Sequence, residues 1–400
     1  MKKNPIFNEA NLPLEVALLL IAGLTMFITG ILLFPVSFGE IPYYKNGLYG
    51  LLIFIFALQI VTMGKTPFGD MSKSVPLIVI GIIIALIGII TCFVPVDFYK
   101  IPNIVLFICF TPGGFFLFLK MFFSRDKLRL WLKYGAVFKH LIFACMIVYL
   151  LSMIIGLLVL MHNYFNITIT ALIVVLFGIS IFYLSFVLRI IYLKHPEAEN
   201  TNSGTVKLST DKMILLMTGV FMLLLGILLI PVNLGKLPFS GSAQLGLLMV
   251  IFSIQMLASG STPVGPFPRS WLIIGIGLIF ASLGIISCVI PEILVKPLTI
   301  LIGVLNISGG IISLVKTLLP VFNRTSSLNN HIPLVLKKLF FTQIIMGCLS
   351  ILFGSSMLVS NLLPGLIIGI VLFANGCILL YLIKILLVLT KIKNQMQDKI

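Results

Sequence analysis

Long apolar runs recur from one end of this sequence to the other, and they constrain its fold more than any other feature. The first, "LPLEVALLLIAGLTMFITGILLFPV", starts at Leu12, and runs of similar length follow into the C-terminal region. Each is long enough to cross the hydrocarbon core of a bilayer as an α-helix. Strands of a membrane β-barrel would instead alternate apolar and polar residues. The sequence therefore predicts an all-α integral membrane protein, whose first run is a retained span rather than a cleaved signal peptide.

Twelve spans are predicted from these runs. Their approximate ranges are 13–36, 47–64, 76–95, 101–123, 137–161, 167–192, 212–232, 243–259, 271–291, 297–319, 333–360 and 364–390. The composition agrees, since 60% of the 400 residues are hydrophobic and only 10% are charged. A soluble chain of this size would carry far more polar residues.

The positive charges predict the orientation of the spans. With a cytoplasmic N-terminus, the inner segments hold 23 of the 27 Lys and Arg residues, and the outer loops hold only Lys45, Lys100, Lys236 and Lys296. Both termini are therefore predicted to be cytoplasmic. Topology accounts for the net charge of +16, so no nucleic-acid partner is expected. The short loops favour a bacterial inner membrane. The basic inner segment 124–135 is either an interfacial helix on anionic lipid or a topology anchor.

The sequence repeats itself with an offset of 196 residues over about a hundred positions. Gly23, Gly30 and Pro35 align with Gly219, Gly226 and Pro231, and later positions align in the same way. Each repeat contains six spans, so both share one orientation and a pseudo-twofold axis along the membrane normal is expected. The predicted organisation is a first six-helix repeat at 1–193, a cytoplasmic linker at 194–211 and a second six-helix repeat at 212–400.

A finer pattern of glycines seven residues apart lies inside each repeat. The segments "GLTMFITGILLFP" and "GIIIALIGIITCFVP" show it in spans 1 and 3. Such spacing places small residues on one helix face, where helices approach closely in lipid. This pattern of helical hairpins resembles the HdeD-like family of bacterial membrane proteins, which is associated with acid resistance. The resemblance implies a structural or stress-related protein and supplies no catalytic residues.

The turn "TMGKTPFGD" at 62–70 recurs as "ASGSTPVGP" at 258–266. Four residues are shared at each place, and they are the ones that shape backbone: Gly64, Thr66, Pro67 and Gly69 in the first turn, and Gly260, Thr262, Pro263 and Gly265 in the second. The charged Lys65 and Asp70 become Ser261 and Pro266. The stretch is therefore interpreted as a duplicated structural turn, with an anion site as the alternative.

Few groups inside the spans carry chemistry. All eleven acidic residues lie at span ends or in loops, and the six cysteines show no metal-ligand spacing. No enzyme activity, metal or cofactor is expected. The remaining intramembrane polar features come in pairs related by the repeat. They are Thr111, Pro112, Gly113 and Gly114 in span 4 with Asn306, Ser308, Gly309 and Gly310 in span 10, and Gln59 with Gln255.

These pairs admit two interpretations. Interrupted helices at matching depths point to a solute site in a transporter, whereas Gly-Gly pairs also permit tight helix packing, and buried amides also join helices. Two functions follow. The first is a non-enzymatic structural or stress-related membrane protein. The second is a permease for a neutral or lipophilic solute with a mid-membrane site between the repeats. The lipid bilayer is the expected partner, and an oligomer or further membrane subunits stay open.

Overall fold

A computed structural model of the chain describes residues 9–95, 100–123, 136–161, 165–195, 208–322, 334–359 and 362–397. These residues form twelve helices long and apolar enough to span a membrane, which confirms the predicted all-α, twelve-span, multi-pass architecture. The helices are α1 (Leu14–Ser37), α2 (Lys45–Met63), α3 (Val75–Phe93), α4 (Lys100–Phe123), α5 (Ala136–Leu160), α6 (Ile167–Lys194), α7 (Thr210–Asn233), α8 (Gly241–Ser259), α9 (Trp271–Val289), α10 (Val295–Phe322), α11 (Leu334–Leu358) and α12 (Gly365–Gln397). The basic segment 124–135 and most of the linker 194–211 lie outside the described residues.

Two short β-hairpins interrupt the helical order. Between α2 and α3, β1 (Lys65–Thr66) pairs antiparallel with β2 (Gly69–Asp70). Between α8 and α9, β3 (Ser261–Thr262) pairs in the same way with β4 (Gly265–Pro266). The repeated turn therefore has strand pairing at both places.

Glycine permits the backbone of the first β-hairpin. Gly64 ends α2 at a φ of 72°, and Gly69 has a φ of 129°, a region that residues with a Cβ rarely enter. The hydroxyl of Thr66 donates to the Gly69 carbonyl at 2.7 Å and closes the turn. The second turn has the same geometry at Gly260, Thr262 and Gly265.

The helices divide into two compact units. The first contains α1–α6 together with α8 and α9, and the second contains α7 and α10–α12 with the β3–β4 hairpin. This division does not follow the repeat boundary at 194–211. Its physical reason is the packing of α8 and α9, which contact α1, α2 and α3 within the first unit.

Glycine faces bring helices of the first unit to backbone contact. A Cβ on Gly30 of α1 would lie 2.6 Å from the Val175 nitrogen of α6, and one on Gly178 would lie 2.6 Å from the Phe27 nitrogen of α1. The hairpin pattern in the sequence predicts that α1 packs against α2, the next helix in the chain. The glycine face of α1 packs instead on α6, because the matching small residue lies there.

Two reciprocal hydrogen bonds join the α2–α3 pair to the α8–α9 pair. The Tyr44 amide donates to the Val289 carbonyl at 2.8 Å, and the Ser240 amide donates to the Phe93 carbonyl at 2.9 Å. Ser240 and Val289 are the residues that the 196-residue offset aligns with Tyr44 and Phe93. Each bond is therefore the counterpart of the other, and the four helices are arranged with approximate twofold symmetry.

The buried thiols of α3 and α9 follow the same symmetry. The Cys92 thiol donates to the Gly47 carbonyl and the Cys288 thiol to the Ala243 carbonyl, each at 3.7 Å. The two cysteines are fully buried and contact each other through their side chains. They act as small packing residues at the centre of the first unit.

The second unit uses the same close packing. In α7, a Cβ on Gly226 would lie 2.4 Å from the Phe373 nitrogen of α12. A Cβ on Gly310 of α10 would lie 2.7 Å from the Gly347 carbonyl of α11. Small residues thus determine which helices are neighbours in this unit as well.

Candidate functional site

A cavity of about 410 Å³ lies within the first unit, among α1, α2, α4, α5 and α6. This volume falls in the range of small-molecule sites. Its walls are aliphatic, and they come from α1, α2, α5 and α6 as Met26, Leu33, Leu48, Leu52, Ile155, Leu158, Val159 and Val174. The exposed Phe165 and Ile167 stand at its rim. The rim lies at the end of the bundle where α1 is joined to α2, called here the α1–α2 end.

An aromatic ring lies at the deep end of the cavity. The Phe110 ring of α4 lines it and packs edge-on against Phe56 at 5.2 Å and Phe177 at 6.0 Å between ring centroids. Leu52 lies seven residues into α2 from Lys45, which corresponds to about 10 Å of helix. The cavity thus reaches from the α1–α2 end well into the membrane-spanning part of the unit.

Thr29 places a hydroxyl in this apolar wall without a protein partner. It is fully buried, lines the cavity and forms no hydrogen bond within the described part of the chain. Thr25 and Thr62, on helices that line the cavity, donate to the carbonyl four residues earlier, as threonines in helices commonly do. An unpaired buried hydroxyl costs about 1–3 kcal/mol. The Thr29 hydroxyl oxygen is also closed to solvent, so it lies behind the surface of the cavity wall.

Lys45 supplies positive charge at the α1–α2 end of the cavity. It is the first residue of α2, and its Nζ lies 5.2 Å from the centre of the Tyr49 ring. No carboxylate among the described residues forms an ion pair with it, and the first turn of α2 has no acidic residue. The free amides of a helix N-terminus add further positive potential. The arrangement favours an anionic group near Lys45.

Tyr43 precedes α2 and also lines the cavity. Burial raises the pKa of its hydroxyl, and the nearby Tyr49 raises it further. The phenol therefore stays protonated at neutral pH and keeps a hydrogen to donate. Five polar residues thus stand among the apolar walls of the cavity: Thr29, Tyr43, Lys45, Tyr49 and Thr170.

The candidate residues of span 4 lie below this cavity in a continuous helix. Pro112 is inside α4, which runs without a break from Lys100 to Phe123. The Thr111 hydroxyl donates to the Met153 carbonyl of α5 at 3.1 Å. A Cβ on Gly113 would lie 2.9 Å from Pro67 of the first β-hairpin, and one on Gly114 would lie 3.0 Å from the Tyr149 carbonyl. The two glycines thus contact different neighbours, the hairpin and α5.

The candidate residues of span 10 lie in the second unit, where the glycines have neighbours that match those of span 4. The Asn306 amide donates to the Ile302 carbonyl at 2.9 Å, and the Ser308 hydroxyl donates to the Leu305 carbonyl at 3.1 Å. Gly309 lies against Pro263 of the second β-hairpin, and Gly310 lies against α11. The helix α10 is also continuous. The interruptions considered from the sequence are absent from both described helices, since close packing at Gly-Gly does not require a break.

The remaining sequence candidates lie at the other end of α2 and α8. Gln59 and Gln255 are half-buried near the C-terminal ends of these helices. Among the described residues, no group of three or more His, Cys, Asp or Glu side chains is placed to hold a metal ion.

A polar cluster holds the first β-hairpin to the helices. Lys65 of β1 forms an ion pair with Glu15 in the first turn of α1, and Glu15 accepts a hydrogen bond from the Tyr192 hydroxyl of α6. Lys65 is one of the two charged residues of the first β-hairpin that the second β-hairpin lacks. Its charge neutralises Glu15, so its structural role is to hold the hairpin against α1.

The sequence interpretation missed Thr29, Tyr43 and Lys45 because it searched for polar residues shared by both repeats. The offset of 196 residues aligns these three with Leu225, Phe239 and Gly241, and it aligns Tyr49 with Leu245. In the second repeat, the polar residues that α1, α2 and the loop between them contribute to the cavity are thus replaced by apolar residues or glycine. A search for polarity present in one repeat alone would have found the site.

Comparison of the chain with protein-family models, with curated proteins and with solved structures found no match. The fold and the cavity define a polytopic helical membrane protein with a ligand-sized cavity in its first unit.

Proposed function

We propose that the protein is a non-enzymatic membrane protein of permease type, which binds a lipophilic solute in the cavity of its first unit. The observation that carries this proposal is the cavity of about 410 Å³, whose apolar walls also hold the charged Lys45 and the polar Tyr43. Apolar walls with a few polar groups are typical of small-molecule sites. The site lies within the first six helices, whereas the sequence interpretation placed it between the repeats.

The shape of the cavity supports a solute with a long apolar part. Leu158 and Val159 of α5 face it from one side and Leu48 and Leu52 of α2 from another, with Phe110 at the deep end. Burying apolar surface against such walls contributes about 25 cal/mol per Å². An elongated hydrocarbon thereby gains more than a compact polar solute.

Blocking the cavity tests this function. The full chain is purified in a non-ionic detergent, and native mass spectrometry counts bound 1-dodecanol. Leu158→Trp fills the cavity from a residue that is 5% exposed, whereas Leu157→Trp changes the neighbouring residue, which is 44% exposed on the outside of α5. The wild type and Leu157→Trp are expected to bind dodecanol, and Leu158→Trp is expected to lose it. Equal binding by all three proteins would overturn the proposal.

The second candidate is the structural or stress-related function that the HdeD-like resemblance implies. The close glycine packing favours it, for example the approach of Gly88 to Gly50, where a Cβ on Gly88 would lie 2.9 Å from the Gly50 carbonyl. For this candidate we propose a bacterial inner membrane with both termini cytoplasmic and anionic lipid at the basic loops. A strain that lacks the gene should survive acid poorly, and unchanged survival would count against this function.

A further inference from the structure

We infer that the solute is a single-chain amphiphile with an anionic head group, a carboxylate or a phosphate monoester. Its head would lie beside Lys45 at the α1–α2 end, and its chain would extend along the cavity toward Phe110. This inference rests on the proposed binding function and adds the chemical class of the solute.

The charge of the cavity selects the head group. Lys45 is the cavity's charged residue, and no acidic side chain lines the cavity. The ammonium group lies at the N-terminus of α2, where a positive side chain is unfavourable unless an anion balances it. Hydrogen bonds between an ammonium and a carboxylate or phosphate are stronger than those between neutral groups. An anionic head therefore compensates two positive features at once.

Neighbouring aromatic residues complete the site for the head. The Tyr49 ring lies 5.2 Å from the Lys45 Nζ and supports the ammonium through a cation–π contact. The protonated Tyr43 hydroxyl lines the same cavity and offers a donor. An anion accepts hydrogen bonds from the Lys45 ammonium and the Tyr43 hydroxyl, whereas an ammonium head would meet the like charge of Lys45.

The size of the cavity limits the chain. At about 30 Å³ for each water-sized group, 410 Å³ holds roughly fourteen such groups. A head and a chain of about ten to twelve carbons fill this space.

The second repeat provides an internal comparison. Lys45, Tyr43, Tyr49 and Thr29 align with Gly241, Phe239, Leu245 and Leu225. The β-hairpin glycines and the Thr-Pro steps are retained in both repeats, although these polar residues are not. The four residues are thus not needed to form the backbone of a repeat, which is consistent with a binding role in the first.

Native mass spectrometry at pH 7.5 tests the inference by comparing the binding of three ligands to the wild type and to three variants. Dodecanoate and dodecyl phosphate are compared with neutral 1-dodecanol on the full chain, and the tighter anion identifies the head-group chemistry. Both anions are expected to bind the wild type at least tenfold more tightly than dodecanol. Lys45→Gln should remove this preference by weakening the binding of both anions, whereas Lys45→Arg should keep the preference.

Lys236→Gln is the matched control, because Lys236 is an exposed lysine of the α7–α8 connection in the second unit. It should behave as the wild type does. If the wild type binds dodecanol and both anions equally well, the inference about the head group is overturned, but the binding function stands. The same holds if Lys45→Gln still prefers the anions. If no ligand binds, the proposed function itself fails.

Discussion

The side chain of Cys92 in α3 contacts that of Cys288 in α9, and the two residues are 196 positions apart, the offset of the sequence repeat. Both are fully buried. Together with the reciprocal bonds of Tyr44 and Ser240, this contact places equivalent residues of the two repeats around a common centre within the first unit.

Oxidation should join these two cysteines. In a variant whose other four cysteines are alanine and which carries a protease site between Lys194 and Thr210, copper phenanthroline is expected to form a Cys92–Cys288 disulfide, because the two side chains are neighbours. After proteolysis, a non-reducing gel should show the fragments still joined. Cys288→Ser in the same background is the control and should give separate fragments. Separate fragments from both proteins would contradict the contact.

Two glycines of α9 should respond differently to alanine. A Cβ on Gly284 would lie 2.6 Å from the Gly246 carbonyl, whereas one on Gly275 would meet nothing within 4 Å. Gly284→Ala is expected to lower the free energy of unfolding by about 1–3 kcal/mol through overpacking. Gly275→Ala should raise it by up to about 1 kcal/mol through helix propensity. Thermal unfolding followed by circular dichroism compares them, and equal shifts would argue against the close approach.

Thr29→Val should separate stability from binding. Removing an unpaired buried hydroxyl is expected to stabilise the ligand-free protein by about 1–3 kcal/mol. Binding of dodecanoate should stay within about twofold of the wild type, because the hydroxyl oxygen is not exposed to the cavity. Melting temperature and native mass spectrometry measure the two effects. Thr25→Val is the control, since the Thr25 hydroxyl bonds the Ile21 carbonyl. A lower melting temperature in Thr29→Val would show that the hydroxyl is satisfied.

The ion pair between Lys65 and Glu15 should contribute measurable coupling. Their side chains are 29% and 19% exposed, so water screens the pair only in part. A double-mutant cycle of Lys65→Ser and Glu15→Gln is expected to give a coupling of about 0.5–1 kcal/mol. The charge exchange Lys65→Glu with Glu15→Lys should restore most of the stability that either single reversal removes. Additive effects would show that the two side chains act independently.

Tyr43 should make stability depend on alkaline pH. Burial raises the pKa of its hydroxyl above the ordinary value of 10.0. Above pH 10, the unfolded chain releases this proton while the folded protein keeps it, so stability falls as pH rises. Below pH 10, both states are protonated and the effect is absent. The melting temperature of Tyr43→Phe should therefore fall less than that of the wild type between pH 8 and pH 10.5. Tyr381→Phe, at a more exposed tyrosine, should behave as the wild type does.

Hydropathy and glycine spacing predicted the number and approximate bounds of the helices, because each span must satisfy its own backbone in lipid. They did not predict which helices pack together. Gly30 marks a close-packing face of α1, but nothing in the local sequence shows that its partner is Ala171 and Val175 in α6. Partner choice depends on contacts between residues far apart in the chain, which periodicity does not encode.

The cavity was hidden for a related reason. Thr29 and Lys45 lie on different helices and in different sequence contexts, and only the packing of α1 and α2 brings them to one space. Thr111, Asn306 and Ser308 looked more promising because they are polar and intramembrane. In the structure, their side chains hydrogen-bond to helix carbonyls, and their role in solute binding stays a prediction.

The reciprocal bonds of Tyr44 and Ser240 bear on what the first repeat would do if it were produced alone. A protein that contained only the first repeat would have a Tyr44 amide and a Phe93 carbonyl whose partners come from the other repeat. Two copies of such a protein could satisfy these groups in each other, since Phe93 is the counterpart of Val289 and Tyr44 of Ser240. We therefore predict that residues 1–193 produced alone pair with themselves, and a strictly monomeric product would contradict this prediction.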